Sequence, residues 1–318
     1  MQIKDFEIYN SEFNITDPHC IVILKPWINV GNVGQIVINR LFKEFLGVKI
    51  GKLSKPSKFY DYTRFRPTVY LDSKTGDRKF KIPNTELSLI KASGQDILLL
   101  QLLEPHSFGE DFNDSIIEML EYFKVRRYIQ LGGMYDSVPH TRELIVTGSA
   151  NNWDPKLTQN ISFRRSNYEG PTSIVSQIIE RIKNILTIET MSLMVHLPLY
   201  LKLDDDFAGA SRLLKVVSEI YKIDNKFSEY NLGKNQYEQV TPALSDNNEL
   251  RNMIQRFEKE FDSKNDIINI DITVILDGWH GDSSRMYTPG RINKKIESLL
   301  RTTYDLSLIH ISEPTRRT

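Results

Sequence analysis

The stretch that decides the fold class is CIVILKPWINVGNVGQIVINRLFKEFLGVKIGKL, residues 20–53. Its first five residues form an apolar run that predicts a buried β-strand, and residues 48–53 predict a second strand. Between them, apolar positions recur at helical spacing from residue 33 to residue 46, and Gly47 is placed as the C-terminal stop of that helix. A strand, a helix and a strand in this order predict an α/β fold with helices on the faces of a sheet.

The remainder of the chain continues this alternation. We predict a single α/β domain over residues 15–225, followed by a linker and a helical C-terminal extension over residues 226–305. The polar residues 230–242 are interpreted as the linker itself. Further strands are predicted at residues 96–101, 127–131, 144–149 and 190–195, a hairpin at 68–71 and 78–82, and helices at about 112–123, 170–186, 206–221, 247–261 and 291–300.

Composition narrows the function classes. The chain has 318 residues, a formal net charge of zero and 26% charged residues, which argues against a large basic surface for nucleic acid. Cys20 is the one cysteine, so no disulfide framework is possible and a reducing cytoplasm is the predicted compartment. No apolar stretch approaches the roughly 20 residues that span a bilayer. We therefore expect neither a nucleic-acid partner nor a membrane partner.

A glycine pair, Gly132 and Gly133, follows the predicted strand at residues 127–131. We expect a short turn after the strand, because paired glycines let backbone N–H groups approach a ligand or a partner closely. His140 and Arg142 follow within ten residues, so one loop would bring together a titratable ring and a fixed cation. The competing interpretation is a tight turn whose polar residues only satisfy backbone groups.

In order and spacing, six motifs resemble the proteasome assembly chaperone family, in particular its second-chaperone branch, which includes many uncharacterised archaeal and bacterial members. The motifs lie within about residues 20–214. They are VGNVGQ (30–35), FYDYT (59–63) with Arg66 and Pro67, DILLL (96–100) with Glu104 and Pro105, Gly132-Gly133 with VPHTR (138–142), GPTS (170–173), and SLMVHLPLY (192–200).

The resemblance implies a three-layer α/β/α core similar to the nucleoside phosphorylase/hydrolase fold. It also implies self-association into a homo-oligomer and binding to proteasome subunits during assembly. No phosphate loop and no clustered metal-ligand pattern is present in the sequence, so we predict no cofactor and no metal site. A non-enzymatic, chaperone-like or scaffold protein is accordingly the leading hypothesis.

An enzyme is the alternative, with a pocket at the carboxyl ends of the strands and a nucleoside-like or other small anionic substrate. Its catalytic candidates are Glu104, His140, Arg142 and His196. No serine or cysteine sits in a nucleophile elbow, and His196 before Leu197 and Pro198 is more readily interpreted as a satisfied core residue. The residues predicted to bind a ligand or a partner are Asn29, Gly31, Gly34, Tyr62, Arg66, Gly132, Gly133, His140, Arg142, Gly170 and His196.

The C-terminal third resembles the family less closely. The charged helix at residues 247–261 has an apolar stripe that predicts either a cover for the core or a partner-binding arm. Residues 266–285 depart from the family pattern, as an inserted hairpin or as a frame-damaged stretch. Residues 306–316 resemble the translation of a sequencing adapter, so residues 306–318 are interpreted as a non-native tail.

Overall fold

A computed structural model gives the fold as two compact units. The first consists of Met1–Asp136 and Glu143–Val240, and the second of Ser137–Arg142 and Thr241–Thr318. The structure describes residues 1–9, 13–153, 161–163, 172–224, 226–245, 247–263, 268–276, 279–287, 298 and 301–302.

The first unit is a mixed α/β unit built around a ten-stranded sheet. The sheet order is β1-β2-β4-β7-β8-β3-β9-β12-β10-β11, and β5 and β6 pair with each other as a separate hairpin. The strands are β1 Gln2–Ile3, β2 Phe6–Ile8, β3 His19–Lys25, β4 Val48–Leu53, β5 Thr68–Leu71, β6 Arg78–Lys81, β7 Glu86–Ala92, β8 Gln95–Leu103, β9 Arg127–Asp136, β10 Val146–Asn151, β11 Ile161–Phe163 and β12 Glu189–Pro198. The helices are α1 Val33–Glu44, α2 Gly109–Tyr122, α3 Ile174–Ile185, α4 Phe207–Tyr221 and α5 Glu229–Ser245. The last residues of α5, 241–245, are counted with the second unit.

Strand β3 lies at the centre of the sheet, parallel to β8 on one side and to β9 on the other. Its side chains alternate between two apolar cores. Cys20 and Val22 pack in the core that contains α2 and α3, whereas Ile21 and Ile23 pack in the core that contains α1 and α4. A parallel strand that is covered on both faces has no solvent side, which explains its uninterrupted apolar sequence. The α/β class and the β3–α1–β4 order predicted from residues 20–53 are confirmed.

The predicted end of β9 is wrong. The strand does not stop at Leu131 but continues through Gly132 and Gly133 to Asp136, and these glycines pair in parallel register with Met194 and Val195 of β12. Glycine inside a strand marks a place where another backbone comes close, and the chain segment after β3 occupies that place here. Strand β7, Glu86–Ala92, was not predicted.

The predicted linker at residues 230–242 is also wrong, because these residues belong to helix α5. The helix is fixed by contacts that its polar sequence does not reveal. Gln236 accepts a hydrogen bond from the backbone N–H of Phe207 at 3.0 Å. At Gly233, a Cβ would lie only 2.4 Å from the backbone nitrogen of Ala208. Tertiary contacts with the start of α4 thus override the low helix propensity of Gly233.

The second unit contains α6, Asn248–Ser263, and an antiparallel hairpin of β13, Ile268–Leu276, with β14, Trp279–Tyr287. Ile254 and Phe257 of α6 are buried, as its apolar stripe predicts. The hairpin corresponds to the inserted-hairpin interpretation of residues 266–285. The helix predicted at 291–300 and the tail at 306–318 fall outside the described residues, apart from residue 298. Within the described chain, no helix combines the length and apolarity needed to cross a membrane.

Candidate functional site

The side chain of Asn29 forms hydrogen bonds within the segment between β3 and α1. Its Oδ1 accepts a hydrogen bond from the backbone N–H of Gly34 at 2.8 Å, and its Nδ2 donates to Oδ1 of Asn32 at 3.1 Å. Asn29 is buried. The amide therefore satisfies one of the N–H groups that the first turn of α1 leaves unpaired. Two predicted ligand-binding residues, Asn29 and Gly34, contact each other at the start of this helix.

Gly31 sits in the same segment with a left-handed backbone, at φ +58°. Its carbonyl oxygen accepts a hydrogen bond from the N–H of Asp206 at 2.7 Å. A Cβ on Gly31 would lie 2.8 Å from the Cβ of Asp206 and 2.8 Å from Cδ1 of Leu197. Backbone conformation and close packing both require glycine here. The residue joins the β3–α1 segment to the start of α4.

The glycine pair of β9 faces the same segment. The N–H of Gly133 donates to the carbonyl of Ile28 at 2.9 Å, and Gly133 forms an isolated parallel bridge with Asn29. A Cβ on Gly132 would lie 2.6 Å from the carbonyl oxygen of Ile28 and 2.7 Å from Sδ of Met194. The structure therefore brings Asn29, Gly34 and Gly133 together, and protein atoms fill the space that the missing side chains leave.

His196 lies in a hydrogen-bonded row across three adjacent strands. Its Nδ1 is 2.7 Å from Oδ2 of Asp136 on β9, and its Nε2 is 2.8 Å from Oγ1 of Thr147 on β10. An ionised carboxylate only accepts hydrogen bonds, so Nδ1 donates to Asp136, and in a neutral ring Nε2 then accepts from the threonine hydroxyl. Hydroxyl, imidazole and carboxylate in this order is an arrangement that can make an alcohol nucleophilic. Sequence reasoning missed Asp136 and Thr147, because only the sheet register brings them to His196.

Glu104 contacts the beginning of helix α3. Its Oε1 accepts a hydrogen bond from the backbone N–H of Ile174 at 3.0 Å, whereas Ser173, the N-cap residue, makes no side-chain cap. Burial raises the pKa of the Glu104 carboxyl, and the bond from Ile174 opposes this rise. A carboxylate at a helix N-terminus is stabilised by the helix dipole. Glu104 and His196 thus have separate sets of partners.

His140 and Arg142 both lie in the second unit. Nε2 of His140 is 3.1 Å from Oγ1 of Thr241. Arg142 donates from Nε and Nη2 to the two carboxylate oxygens of Asp262 at 3.0 and 2.9 Å, and Nη1 is 3.4 Å from Glu258. The bond from Arg142 holds the pKa of Asp262 below its usual range. This bidentate pair joins the VPHTR segment to helix α6.

Residues 68–81, which we term the hairpin arm, form a separate two-stranded sheet within the first unit. Val69 pairs directly with Phe80 and Leu71 with Arg78, so the three apolar side chains occupy one face of the arm. These side chains are 45%, 67% and 67% exposed for Val69, Leu71 and Phe80. Just before the arm, Tyr62 packs against the core and Arg66 borders a cleft beside the sheet.

Gly170 falls outside the described residues. The ligand-binding and partner-binding roles of the other ten residues stay predictions. Among the described residues, no three His, Cys, Asp or Glu side chains are placed to hold a metal ion together.

Many solved structures resemble this fold, among them the following three. A protein of unknown function from Corynebacterium glutamicum has a TM-score of 0.73 at 18% identity, covering 82% of this chain and 98% of that one. A PAC2 family protein from Streptomyces avermitilis has a TM-score of 0.64 at 24% identity, with 75% and 100% covered. A proteasome-assembly chaperone homologue from Mycobacterium tuberculosis has a TM-score of 0.64 at 19% identity, with 74% and 99% covered. At these identities the likeness establishes the fold alone.

A short stretch resembles a different curated protein. Over 40 residues, the chain is 60% identical to the methionine aminopeptidase of Rickettsia prowazekii. The match covers 13% of this chain and spans only 15% of the length of that relative. A segment of this size does not transfer the aminopeptidase activity to the chain.

The model of the PAC2 family matches residues 23–236, which is more than half of the 318 residues. This match covers most of the first unit, whereas the likeness to the aminopeptidase is confined to a short segment. This agrees with the family predicted from the six motifs, and the chain belongs to the PAC2 family.

Proposed function

We propose that this protein acts by binding other protein chains, as a non-enzymatic, chaperone-like or scaffold protein. We further propose that it forms a homo-oligomer and that proteasome subunits are its partners. Family membership over residues 23–236 supports the proposal. The name of the Mycobacterium tuberculosis relative, a proteasome-assembly chaperone homologue, points to the class of partner.

The observation on which this proposal rests is the exposed apolar face of the hairpin arm. Val69, Leu71 and Phe80 present a contiguous apolar surface on a two-stranded ribbon. Contiguous apolar surface on a soluble protein commonly marks a binding site, and a two-stranded hairpin is marginally stable by itself. A partner that covers this face would bury the three side chains and stabilise the arm.

The residues of the family motifs support a binding role in another way. Asn29, Gly31 and Gly133 make contacts that hold the β3–α1 segment against the sheet. Glu104 caps α3 through the N–H of Ile174. These contacts give the first unit a rigid scaffold, and rigid scaffolds position binding loops. We infer in addition that the core is similar to the nucleoside phosphorylase/hydrolase fold, a likeness that by itself confers no phosphorolysis.

The cytoplasm is the compartment that we propose for this protein. Cys20 is buried and forms no disulfide. Burial raises the pKa of its thiol above the usual range, which keeps the sulfur protonated and unreactive. A single inert thiol is compatible with a reducing compartment.

The proposal is tested by mixing the full chain with purified, unassembled proteasome α and β subunits from Mycobacterium tuberculosis and measuring co-elution by size exclusion. A variant with Val69→Ser, Leu71→Ser and Phe80→Ser removes the apolar face. Its matched control replaces two exposed apolar residues elsewhere, with Leu46→Ser and Ile185→Ser.

We expect the wild type and the control to co-elute with one class of subunit and the arm variant to bind roughly tenfold more weakly or worse. Light scattering of the protein alone reports its oligomeric state. If no subunit co-elutes with the wild type, proteasome subunits are not the partner. If the arm variant binds as well as the control, the arm is not the surface.

The enzyme alternative has one specific observation in its favour, the Thr147–His196–Asp136 row of hydrogen bonds. Its test is a search for hydrolysis of nucleosides and small anionic esters by the full chain. Turnover that disappears in both Thr147→Ala and His196→Ala, but persists in His106→Ala, would establish the enzyme. Turnover that is absent from the wild type, or equal in all variants, would leave the row with a structural role.

A further inference from the structure

A cleft of about 720 Å³ lies in the first unit between helix α1, the sheet and the hairpin arm. Its lining includes Gln35 and Phe42 of α1, and Thr68 and Lys81 of the arm. Its floor is the sheet, where β3 and β8 reach their carboxyl ends. Ligand sites in α/β proteins gather beyond the carboxyl ends of strands, and the volume falls in the usual range of small-molecule sites.

The floor of the cleft changes from apolar to polar within single strands. On the α1 side of the sheet, Ile23 of β3 and Leu99 of β8 belong to the apolar core. Two residues further along the same faces, the side chains are Lys25 and Gln101, and both line the cleft. A core that only needed to exclude water would continue with apolar residues here. Lysine and glutamine at these positions instead provide hydrogen-bonding groups at the cleft floor.

Three polar atoms around the cleft are buried without a hydrogen-bond partner among the described residues: Oγ of Ser88, Oε1 of Gln35 and Oδ1 of Asn84. Ser88 is only 1% exposed. The Gln35 amide nitrogen donates to Gln101 at 2.8 Å, and the Asn84 amide nitrogen donates to Leu53 at 3.0 Å, so the two amide oxygens remain as acceptors. An unsatisfied buried polar atom costs about 1–3 kcal/mol. All three residues line the cleft, and hydroxyl or amino groups of a ligand would satisfy these oxygens once the side chains turn toward it.

The charge of the cleft is positive. Its lining includes four cations, Lys25, Lys49, Arg66 and Lys81, and one acid, Glu86. Lys49 donates to Glu86 at 2.7 Å. Lys25, Arg66 and Lys81 form no ion pair with any residue in the described ranges. Burial lowers the pKa of Lys25, and the charges of Lys81 and Lys49 lower it further against the effect of Glu86. A bound anion would relieve the mutual repulsion of these cations.

We propose that this cleft binds a small phosphate ester with free hydroxyl groups, a sugar phosphate or a nucleotide. Lys25, Lys81 and Arg66 hold the phosphate, and the unpaired oxygens of Gln35 and Asn84, with the Ser88 hydroxyl, bond the sugar hydroxyls. Phe42 offers a ring on which a base can stack. This inference does not rest on the proposed function, because it concerns binding to the isolated protein.

The test is isothermal titration calorimetry of the full chain with ribose 5-phosphate and AMP. Ribose, adenosine and inorganic phosphate are the matched compounds that lack one half of the recognised chemistry. We expect at least one phosphate ester to bind more tightly than its unphosphorylated counterpart and than phosphate alone. Binding by AMP but not by ribose 5-phosphate identifies a nucleotide site, and the reverse identifies a sugar-phosphate site. If neither ester binds, the proposal is wrong.

Two variants of the hairpin arm test whether the phosphate ester binds in the cleft. Lys81→Ala removes a cation that lines the cleft, and Arg78→Ala removes a cation of the same strand that does not line it. We expect Lys81→Ala to weaken binding roughly tenfold and Arg78→Ala to leave it unchanged. Equal losses in the two variants would mean that the ester binds through general surface charge, which overturns the proposal.

Ser88→Ala tests whether the buried hydroxyl of Ser88 binds the ligand or stabilises the fold. Because the Oγ atom has no partner, its removal is expected to leave the unfolding free energy unchanged or to raise it. Affinity for the phosphate ester is expected to fall severalfold. If the variant instead loses stability and keeps its affinity, the hydroxyl serves the fold through an ordered water, and the proposal fails.

Discussion

The hydroxyl of Tyr237 donates a hydrogen bond to Oδ2 of Asp206 at 2.9 Å, and both residues are buried. Asp206 caps α4 through Oδ1, which accepts from the N–H of Gly209 at 2.7 Å. Burial raises the pKa of Asp206, and the bonds from Gly209 and Tyr237 oppose the rise. One carboxylate thus joins the start of α4 to the middle of α5.

Tyr237→Phe is expected to reduce the free energy of unfolding by about 1–3 kcal/mol, because a buried carboxylate loses a donor while the ring remains. Urea denaturation followed by circular dichroism measures the change. Tyr230→Phe, on an exposed side of the same helix, is the control and is expected to have no effect. Equal midpoints for the two variants would show that the Tyr237–Asp206 bond adds no stability.

Truncation tests the predicted end of the α/β domain at residue 225. Since α5 contacts α4 through Gly233, Gln236 and Tyr237, a chain of residues 1–225 is expected to unfold at a lower urea concentration than a chain of residues 1–245. Removing these contacts also exposes apolar surface that α5 covers. If the two chains have the same midpoint, the α/β domain ends where the sequence predicts.

Gly132→Ala is expected to destabilise the protein by about 1–3 kcal/mol, because the new Cβ would overlap the carbonyl oxygen of Ile28. Gly109→Ala is the control. It lies at the start of α2, where a Cβ would meet only Cδ1 of Ile174 at 3.7 Å, so stability should be kept or gained. Urea denaturation of both variants decides the question. A Gly132→Ala protein as stable as the wild type would contradict the close approach of the two segments.

His19 predicts a pH dependence of stability. Burial lowers its pKa to about 4, and the charge of Arg127 adds to this effect. The unfolded chain, with a histidine pKa near 6.5, binds more protons than the folded chain between these two values. The stabilisation by neutral His19 is therefore complete above pH 6.5 and decreases as the pH falls toward 4.

Comparison of the wild type with His19→Phe isolates this effect from other titrating groups. The wild type is expected to lose about 2–3 kcal/mol more than the variant between pH 7 and pH 4. Tyr221→Phe removes the neighbouring hydroxyl, 3.2 Å from Nδ1, and is expected to retain the pH dependence. Parallel pH profiles for the wild type and His19→Phe would exclude His19 as the cause.

The predictions from sequence succeeded where a local pattern is decisive. The apolar run of β3 and the helical spacing of α1 are set by burial of whole faces, so short windows of sequence contain the signal. The turn predicted at Gly132 and Gly133 was wrong, because a glycine pair in a short window of sequence is typical of a turn, and the close approach of another chain segment exists only in the folded protein. The linker predicted at residues 230–242 was wrong for a similar reason, because contacts with α4 hold these residues in a helix.

The candidate site also depends on contacts between residues that are far apart in the sequence. His196 was identified from its motif, but Asp136 and Thr147 lie 60 and 49 residues away in sequence. Only the pairing of β9, β12 and β10 determines that they meet. The cleft left a weak local signal, since Ser88 interrupts the apolar residues of β7 and Gln101 interrupts those of β8. Such interruptions become informative when the facing helix is known.

The hairpin arm pairs only with itself, and no strand of the ten-stranded sheet depends on it for register. It departs after Pro67 and returns at Ile82, so its two ends join the rest of the unit side by side. An arm of another length or sequence can therefore replace residues 68–81 without shifting any pair of the central sheet. On the proposed binding role of the arm, its sequence could then be exchanged to change the partner while the pairing of the ten-stranded sheet stays the same.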